Sequence, residues 1–390
     1  MANTSTKKSS TSTTTSQTKP PSSSPSSSYV ATLSAWLIVL VVGPVGVAVL
    51  LYGAHGFDRG PWSSRAVPMS NRHLLAASER LGDGLLPEPE DLAYDADEGV
   101  IYTGCGDGWI KRVAVAGEET SVTVENWTYV GGRPLGVALG ADKELIVADP
   151  PKRLLRATRG AVDILLTDEA GPVKFGLTDG VDVARNGTIY FTDASYKFKA
   201  EDGMFDFLKC QPHGRLMSFD PQTNLTQVLL HDLYFANGVA LSPHHDFLVF
   251  CETPLRRCRK YHIQGGKKGS VEDFIDNLPG YPDNIRYDGE GHFWVALFAG
   301  RTLSWTIQMR YPIVRKAIMI LERFVKVPHV QLDAGVLSVS LEGQAIALYS
   351  DPALSFVTGG IKIGRHLYYV SLVESFIGRL DLAQHPARAA

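Results

Sequence analysis

Cysteine is scarce in this chain. Four residues (Cys105, Cys210, Cys251 and Cys258) among 390 are too few for a disulfide scaffold, although Cys251 and Cys258 stand close enough in sequence to pair. No Cys-x-x-Cys pair or Cys/His cluster occurs, which argues against structural zinc. Strong positive charge is missing too. The net charge is −3 with no basic domain, so nucleic acid has little electrostatic reason to bind. There is no Gly-x-Ser-x-Gly elbow, so serine-hydrolase chemistry lacks its signal. Residues 1–28 have almost nothing apolar. Such a Ser/Thr/Pro/Lys tail cannot offset its ordering entropy and is expected to be disordered.

The segment after the tail has the opposite character. No residue from Val30 to Leu51 is charged, and as a helix the run spans roughly 30 Å, the thickness of a bilayer core. Residues 29–52 are therefore read as an uncleaved transmembrane signal-anchor helix, a cleaved signal peptide being the competitor. Basic residues flank the run on both sides, so the positive-inside rule decides little. Three sequons downstream, at Asn126, Asn186 and Asn224, and the oxidisable cysteines favour a luminal, glycosylated C-terminal part. Endoplasmic reticulum or vacuole is the expected location. Residues 53–80 read as a linker.

From residue 81 to 390 one pattern repeats. A short strand with polar residues at its start leads through a tight turn to a β-branched or aromatic strand. The copies begin near Glu90, Pro134, Thr178, Asn237, Asp283 and Thr358, mostly roughly 45 to 60 residues apart. Several are followed by a strand with Gly and a basic residue, such as Gly214-Arg-Leu-Met-Ser-Phe219. Six such units imply an all-β fold, a six-bladed β-propeller, in preference to a sandwich. One insertion, near 305–330, breaks the rhythm. Ile313, Ala317, Ile320, Leu321 and Phe324 fall at helical spacing after Pro312, among several basic residues. It reads as an amphipathic helix covering one end of the propeller, or as a lid or membrane-surface helix.

Inner strands of a propeller line its channel, so residues at their starts converge on the axis. Glu90, Thr178, Asp179, Asn237, Asp283 and Asn284 occupy such positions. Carboxylate and carboxamide oxygens from separate blades suit calcium; the alternative is that they cap strand turns through backbone bonds. His213 either lines the channel mouth or bonds a turn carbonyl.

Phe235-Ala-Asn-Gly-Val-Ala-Leu-Ser242, Gly280-Tyr-Pro-Asp-Asn-Ile285, Pro212-His-Gly-Arg-Leu216 and Gly131-Gly-Arg-Pro-Leu-Gly136 resemble the plant strictosidine synthase-like family, with its adipocyte plasma membrane-associated and paraoxonase-like relatives. The resemblance runs from about residue 85 to 383 and implies a six-bladed propeller in an endomembrane glycoprotein. True strictosidine synthases condense tryptamine with secologanin through one glutamate. Here Thr358 stands in that place and cannot transfer protons near neutral pH. Glu374, the nearest carboxylate in sequence, is expected to face the other end.

The fold is also similar to calcium-dependent lactonases, arylesterases and phosphotriesterases of the paraoxonase and gluconolactonase type. That resemblance maps calcium ligands onto Glu90, Asn237, Asp283 and Asn284, with Thr178 in place of a usual asparagine. It maps a second, structural calcium onto Asp91 and Asp179, and puts Leu135 where paraoxonases have a histidine. The expectation is a small-molecule hydrolase acting on ester bonds, with Ca2+ as cofactor and Asp283 holding or activating water. The alternative is a propeller that binds an apolar ligand without catalysis.

Overall fold

A computed structural model describes residues 63–389, apart from 74, 116–121, 167–168, 171–172, 323 and 325–331, together with Gly43 and Gly46. The chain divides into two units, residues 1–51 and 52–390. In the first, only Gly43 and Gly46 are described, and both are helical. The disordered tail and the rest of the expected anchor lie outside the described residues. Among the described residues no helix is long and apolar enough to cross a membrane.

Alternating side chains and tight polar turns make each repeat a meander of four antiparallel strands. The six sheets have inner strands at residues 93–95, 137–139, 177–183, 236–241, 280–287 and 357–363. These are blades 1 to 6 of a six-bladed β-propeller. Six apolar clusters fill the spaces between neighbouring blades. One joins Tyr102 and Trp127 of blade 1 to Val147 and Leu155 of blade 2. Another joins Ile101 and Val113 of blade 1 to Tyr368 and Val370 of blade 6, so the clusters form a closed ring. Cys251 and Cys258 sit opposite each other on adjacent strands of blade 4 and form a disulfide. Cys105 and Cys210 are buried thiols.

The stretch expected to be linker contributes strands. Glu79–Leu81 pairs antiparallel with Ile377–Asp381 and completes blade 6. Met69–Arg72 runs parallel to Ala345–Asp351 on the edge of blade 5, with Arg388–Ala389 outside it. Both strands are short and polar, with no alternating apolar face of their own. They form because a neighbouring blade offers an unpaired edge.

Inner strands begin at the upper end of the channel, where three helices gather. Helix α1 is Gly203–Lys209, α2 is Leu303–Arg310 and α3 is Pro312–Glu322. The Thr302 hydroxyl accepts from Trp305 N and caps α2, while Pro312 opens α3. Phe207 of α1 packs edge-on against Tyr281, Phe298 and Trp305, joined by Met309, Ile318 and Met319. The expected apolar stripe of the insertion does not face this core. Ile313 and Phe324 are exposed and Arg315 is buried. Packing on the α1 aromatics selects the face with Ile318 and Met319 instead.

Candidate functional site

At the upper end, neighbouring inner strands approach so closely that side chains are excluded. A Cβ on Gly238 would lie 2.5 Å from Asn284 Cα, and one on Gly180 would lie 2.8 Å from Asn237 O. The glycines after Asp179 and Asn237 therefore serve strand convergence, and the polar residues beside them turn toward the axis.

Glu90, Asp179, Asn237, Asp283, Asn284 and Thr178 are all buried there. Asn284 Nδ2 donates to Glu90 Oε1 at 2.8 Å, linking blades 5 and 1 across the axis. Asp283 is hydrogen-bonded by the Asn237 side chain and by the backbone N–H of Asn284. Four oxygens remain buried without a hydrogen-bond partner among the described residues: Glu90 Oε2, Thr178 Oγ1, Asn237 Oδ1 and Asn284 Oδ1. They come from four blades. Buried acceptors are normally paired, so four together at one place fit a hard cation. Among the described residues no group of three or more His, Cys, Asp and Glu could hold a metal alone; the oxygen set here depends on its amides and hydroxyl.

The electrostatics point the same way. Burial pushes the Glu90 carboxyl well up, and Asp91, Asp283 and Asp179 push it further. Burial also raises Asp283 well above its ordinary value, with Asp179 adding to it. Asp179 is pushed up to about 8 by burial and then by Asp91 and Asp193. Removed from water, these groups resist carrying charge together unless a cation compensates them.

Asp91 has a different environment. Its carboxylate accepts from Leu92 N and Val137 N and from both Nε and Nη2 of buried Arg286. Arg286 also donates to Val137 O at 2.8 Å and Val181 O at 3.1 Å. It thus plugs the channel just below the oxygen set and ties blade 5 to blades 1, 2 and 3. Asp91 consequently does not fit the expected structural-calcium role, because a guanidinium already occupies both its oxygens. Asp179 stays with the upper group. Below the plug lies a larger cavity of about 740 Å3 lined by Asp182, Arg185, His245, Glu290 and Lys362. It has none of the four unpartnered oxygens.

Above the oxygens opens a cavity of about 380 Å3 walled by Phe207, Phe235, Phe298 and Phe356, with Glu90 and Asp283 on its floor. Arg133 and Glu88 also line it, and Arg133 donates to Glu88 O. Leu135 is part of the wall. The Thr358 hydroxyl is buried and donates to Glu90 O at 2.7 Å, so it positions the Glu90 backbone. Glu374 corrects an expectation. The strand before it, His366–Ser371, runs back to the upper end, and Glu374 O accepts from Glu88 N at the rim.

His213 is buried and its Nδ1 lies 2.5 Å from Asp206 Oδ1 on α1. Its ring thus meets a carboxylate, not a turn carbonyl, and pins α1 to the blade below. Asn126, Asn186 and Asn224 are all exposed. Two important groups escaped sequence reading. Arg286 could have been found by period-2 reasoning, since it stands two residues after Asn284 on the same strand. Phe207 gave no signal, because α1 lies in an irregular excursion between strands of blade 3.

Residues 179–266 match the strictosidine synthase family model and residues 71–113 match the strictosidine synthase-like N-terminal model. Strictosidine synthase-like protein 6 of Arabidopsis thaliana is 49% identical over 364 residues, covering 91% of this chain and 97% of its own length. The adipocyte plasma membrane-associated protein of Bos taurus is 32% identical over 332 residues, covering 79% of each. Among solved structures, a gluconolactonase from Xanthomonas campestris superposes with a TM-score of 0.56 at 16% identity, over 83% of this chain and 98% of the other. A calcium-binding regucalcin from Agrobacterium tumefaciens gives 0.55 at 15% identity, over 81% and 95%. At such identities these two structures support the fold alone.

Proposed function

The chain belongs to the strictosidine synthase-like family, and from that premise we propose that it is a calcium-dependent hydrolase of small esters or lactones. One observation carries this reading: four buried oxygens from four blades, without hydrogen-bond partners among the described residues, beneath an aromatic cavity. Glu90, Asn237, Asp283 and Asn284 would hold the ion, with Thr178 beside them. Bound calcium supplies a Lewis acid for a carbonyl or phosphoryl oxygen. The phenylalanine walls bind the apolar part of the substrate and keep bulk water out. Asp283, held by Asn237 and Asn284 N, orients a water and accepts its proton. Arg133 at the rim offers a guanidinium to a polar substituent.

The full-length protein in detergent should cleave aryl esters or lactones, lose activity to a chelator and regain it with calcium. Asp283→Ala should abolish turnover. Activity indifferent to both chelator and substitution would overturn the reading. Binding of an apolar ester without release of product would favour the alternative, a ligand-binding propeller, for which the four-phenylalanine wall is the supporting observation. Condensation of tryptamine with secologanin is disfavoured because the Thr358 hydroxyl is committed to Glu90 O and cannot serve as the acid/base.

The same proposal puts the propeller in the lumen of the endomembrane system behind an N-terminal anchor. The Cys251–Cys258 bridge suits an oxidising compartment, and the exposed Asn126, Asn186 and Asn224 are accessible to glycosylation. Endoglycosidase treatment of protein from plant membranes should lower its apparent mass; no change would remove the luminal placement.

A further inference from the structure

We propose that the α2–α3 face is a membrane-contact surface, seated on anionic lipid headgroups beside the mouth of the aromatic cavity. Helix α2 is apolar on two sides. Trp305 and Met309 point into the cap around Phe207, whereas Leu303, Ile307 and Tyr311 recur four residues apart on the other side. Leu303 is 75% exposed, Ile307 37% and Tyr311 50%. Beyond them Ile313 is 44% exposed and Phe324 79%. A surface helix facing only water normally shows polar residues on its outer side.

Charge selects the partner. Residues 301–326 include six basic residues and one acidic in a chain whose net charge is −3; Arg315 is buried, whereas Arg301 is exposed and Arg310 and Lys316 are half-buried. Apolar side chains bordered by Lys and Arg are the signature of helices lying in an anionic interface. A second copy of the same face would bring like charges together across a two-fold axis.

The path of the chain agrees. Ser63, the first residue of the described propeller segment, donates through its hydroxyl to Asn277 Oδ1 at 2.6 Å, and Arg65 Nε donates to Asp276 O at 3.1 Å. The Asp276–Pro279 loop that holds them also accepts from Arg301 N, just before α2. The described propeller segment therefore begins beside these helices, and in sequence residues 52–62 separate it from the uncharged run. Phe207 both packs on Trp305 and walls the cavity, so the proposed contact lies beside the cavity wall. It stands whether or not the calcium reading holds.

The test uses the full chain in vesicles. Cys105 and Cys210 are buried and Cys251–Cys258 is bonded, so a spin label can be directed to Leu303→Cys or Phe324→Cys. Ile164→Cys, 56% exposed on the outer strand of blade 2, serves as control. In phosphatidylcholine vesicles containing phosphatidylserine, labels at 303 and 324 should collide more with oxygen than with a water-soluble nickel chelate. The label at 164 should do the reverse. Omitting phosphatidylserine, or adding Arg310→Glu, should move the first two toward water. Labels at 303 and 324 as water-accessible as that at 164 in both vesicles would overturn the proposal. Dipolar broadening between labels at 303 would also overturn it, by assigning the face to a second copy.

Discussion

The two halves of the channel bury carboxylates in two different ways. Toward the lower end, Asp91 and Asp182 lie near a cation that the chain itself supplies, Arg286. At the upper end, Glu90, Asp179 and Asp283 are buried among amides and a hydroxyl, with no guanidinium hydrogen-bonded to them among the described residues. Glu90 and Asp91 are adjacent in sequence, so the contrast arises within a single turn of chain. The lower group is a structural plug, complete without any visitor. On the proposed reading the upper group would supply the acceptors of a coordination shell, and a bound cation would bring its raised carboxyls down.

The largest expected effect comes from removing the internal cation. Arg286→Met strands the buried Asp91 carboxylate and takes the nearby cation from half-buried Asp182, and should destabilise the fold by about 3 to 5 kcal/mol, read as a lowered Tm. An unchanged Tm would erase the distinction between the two halves. Calcium comes next. At a hundredfold excess over its Kd it should stabilise the protein by about 2.7 kcal/mol, and Asp283→Ala should remove the increment while Asp95→Asn, far from the axis group, should not.

The pH profile sharpens the same contrast. Asp179 titrates at an ordinary 3.8 when unfolded and about 8 in the fold. The folded metal-free protein then binds more protons than the unfolded chain between those values, so stability falls as pH rises through that window. Melts at pH 5 and pH 8 should show this drop without calcium and a smaller one with it; equal drops would count against metal binding. The smallest effect is that of Thr358→Val, which removes one buried hydrogen bond to Glu90 O and should cost about 1 kcal/mol, again by thermal melts.

Much of this was legible in the sequence. Each of the six hairpins expected from alternating strands and turns is present, because alternation and turn residues are local signals complete within each repeat. The start of each inner strand was also readable, and Glu90, Asn237, Asp283 and Asn284 do converge. What could not be read depends on distant partners. Glu79–Leu81 looks like linker until the edge of blade 6 is there to receive it. Asp91 looks like a metal ligand until Arg286, 195 positions later, reaches across the axis. The stripe of Ile313, Ala317, Ile320, Leu321 and Phe324 looks like the packing face until the α1 aromatics select Ile318 and Met319 instead.

The strand that completes blade 6 also has a consequence for biosynthesis. Leu81 pairs with Ile377, so the two halves of the ring's closing seam are made 377 − 81 = 296 residues of translation apart. At ribosomal rates the first strand waits roughly 15 to 60 s for its partner. Throughout that interval blades 1 to 5 can assemble, yet the circle stays open with an unsealed sheet edge. A nascent chain of this kind needs protection from foreign strands until Ile377–Asp381 emerges. Truncations that fall after Asp351 but before Ile377 should therefore be retained by the cell's quality-control machinery even though the meanders of five blades are intact.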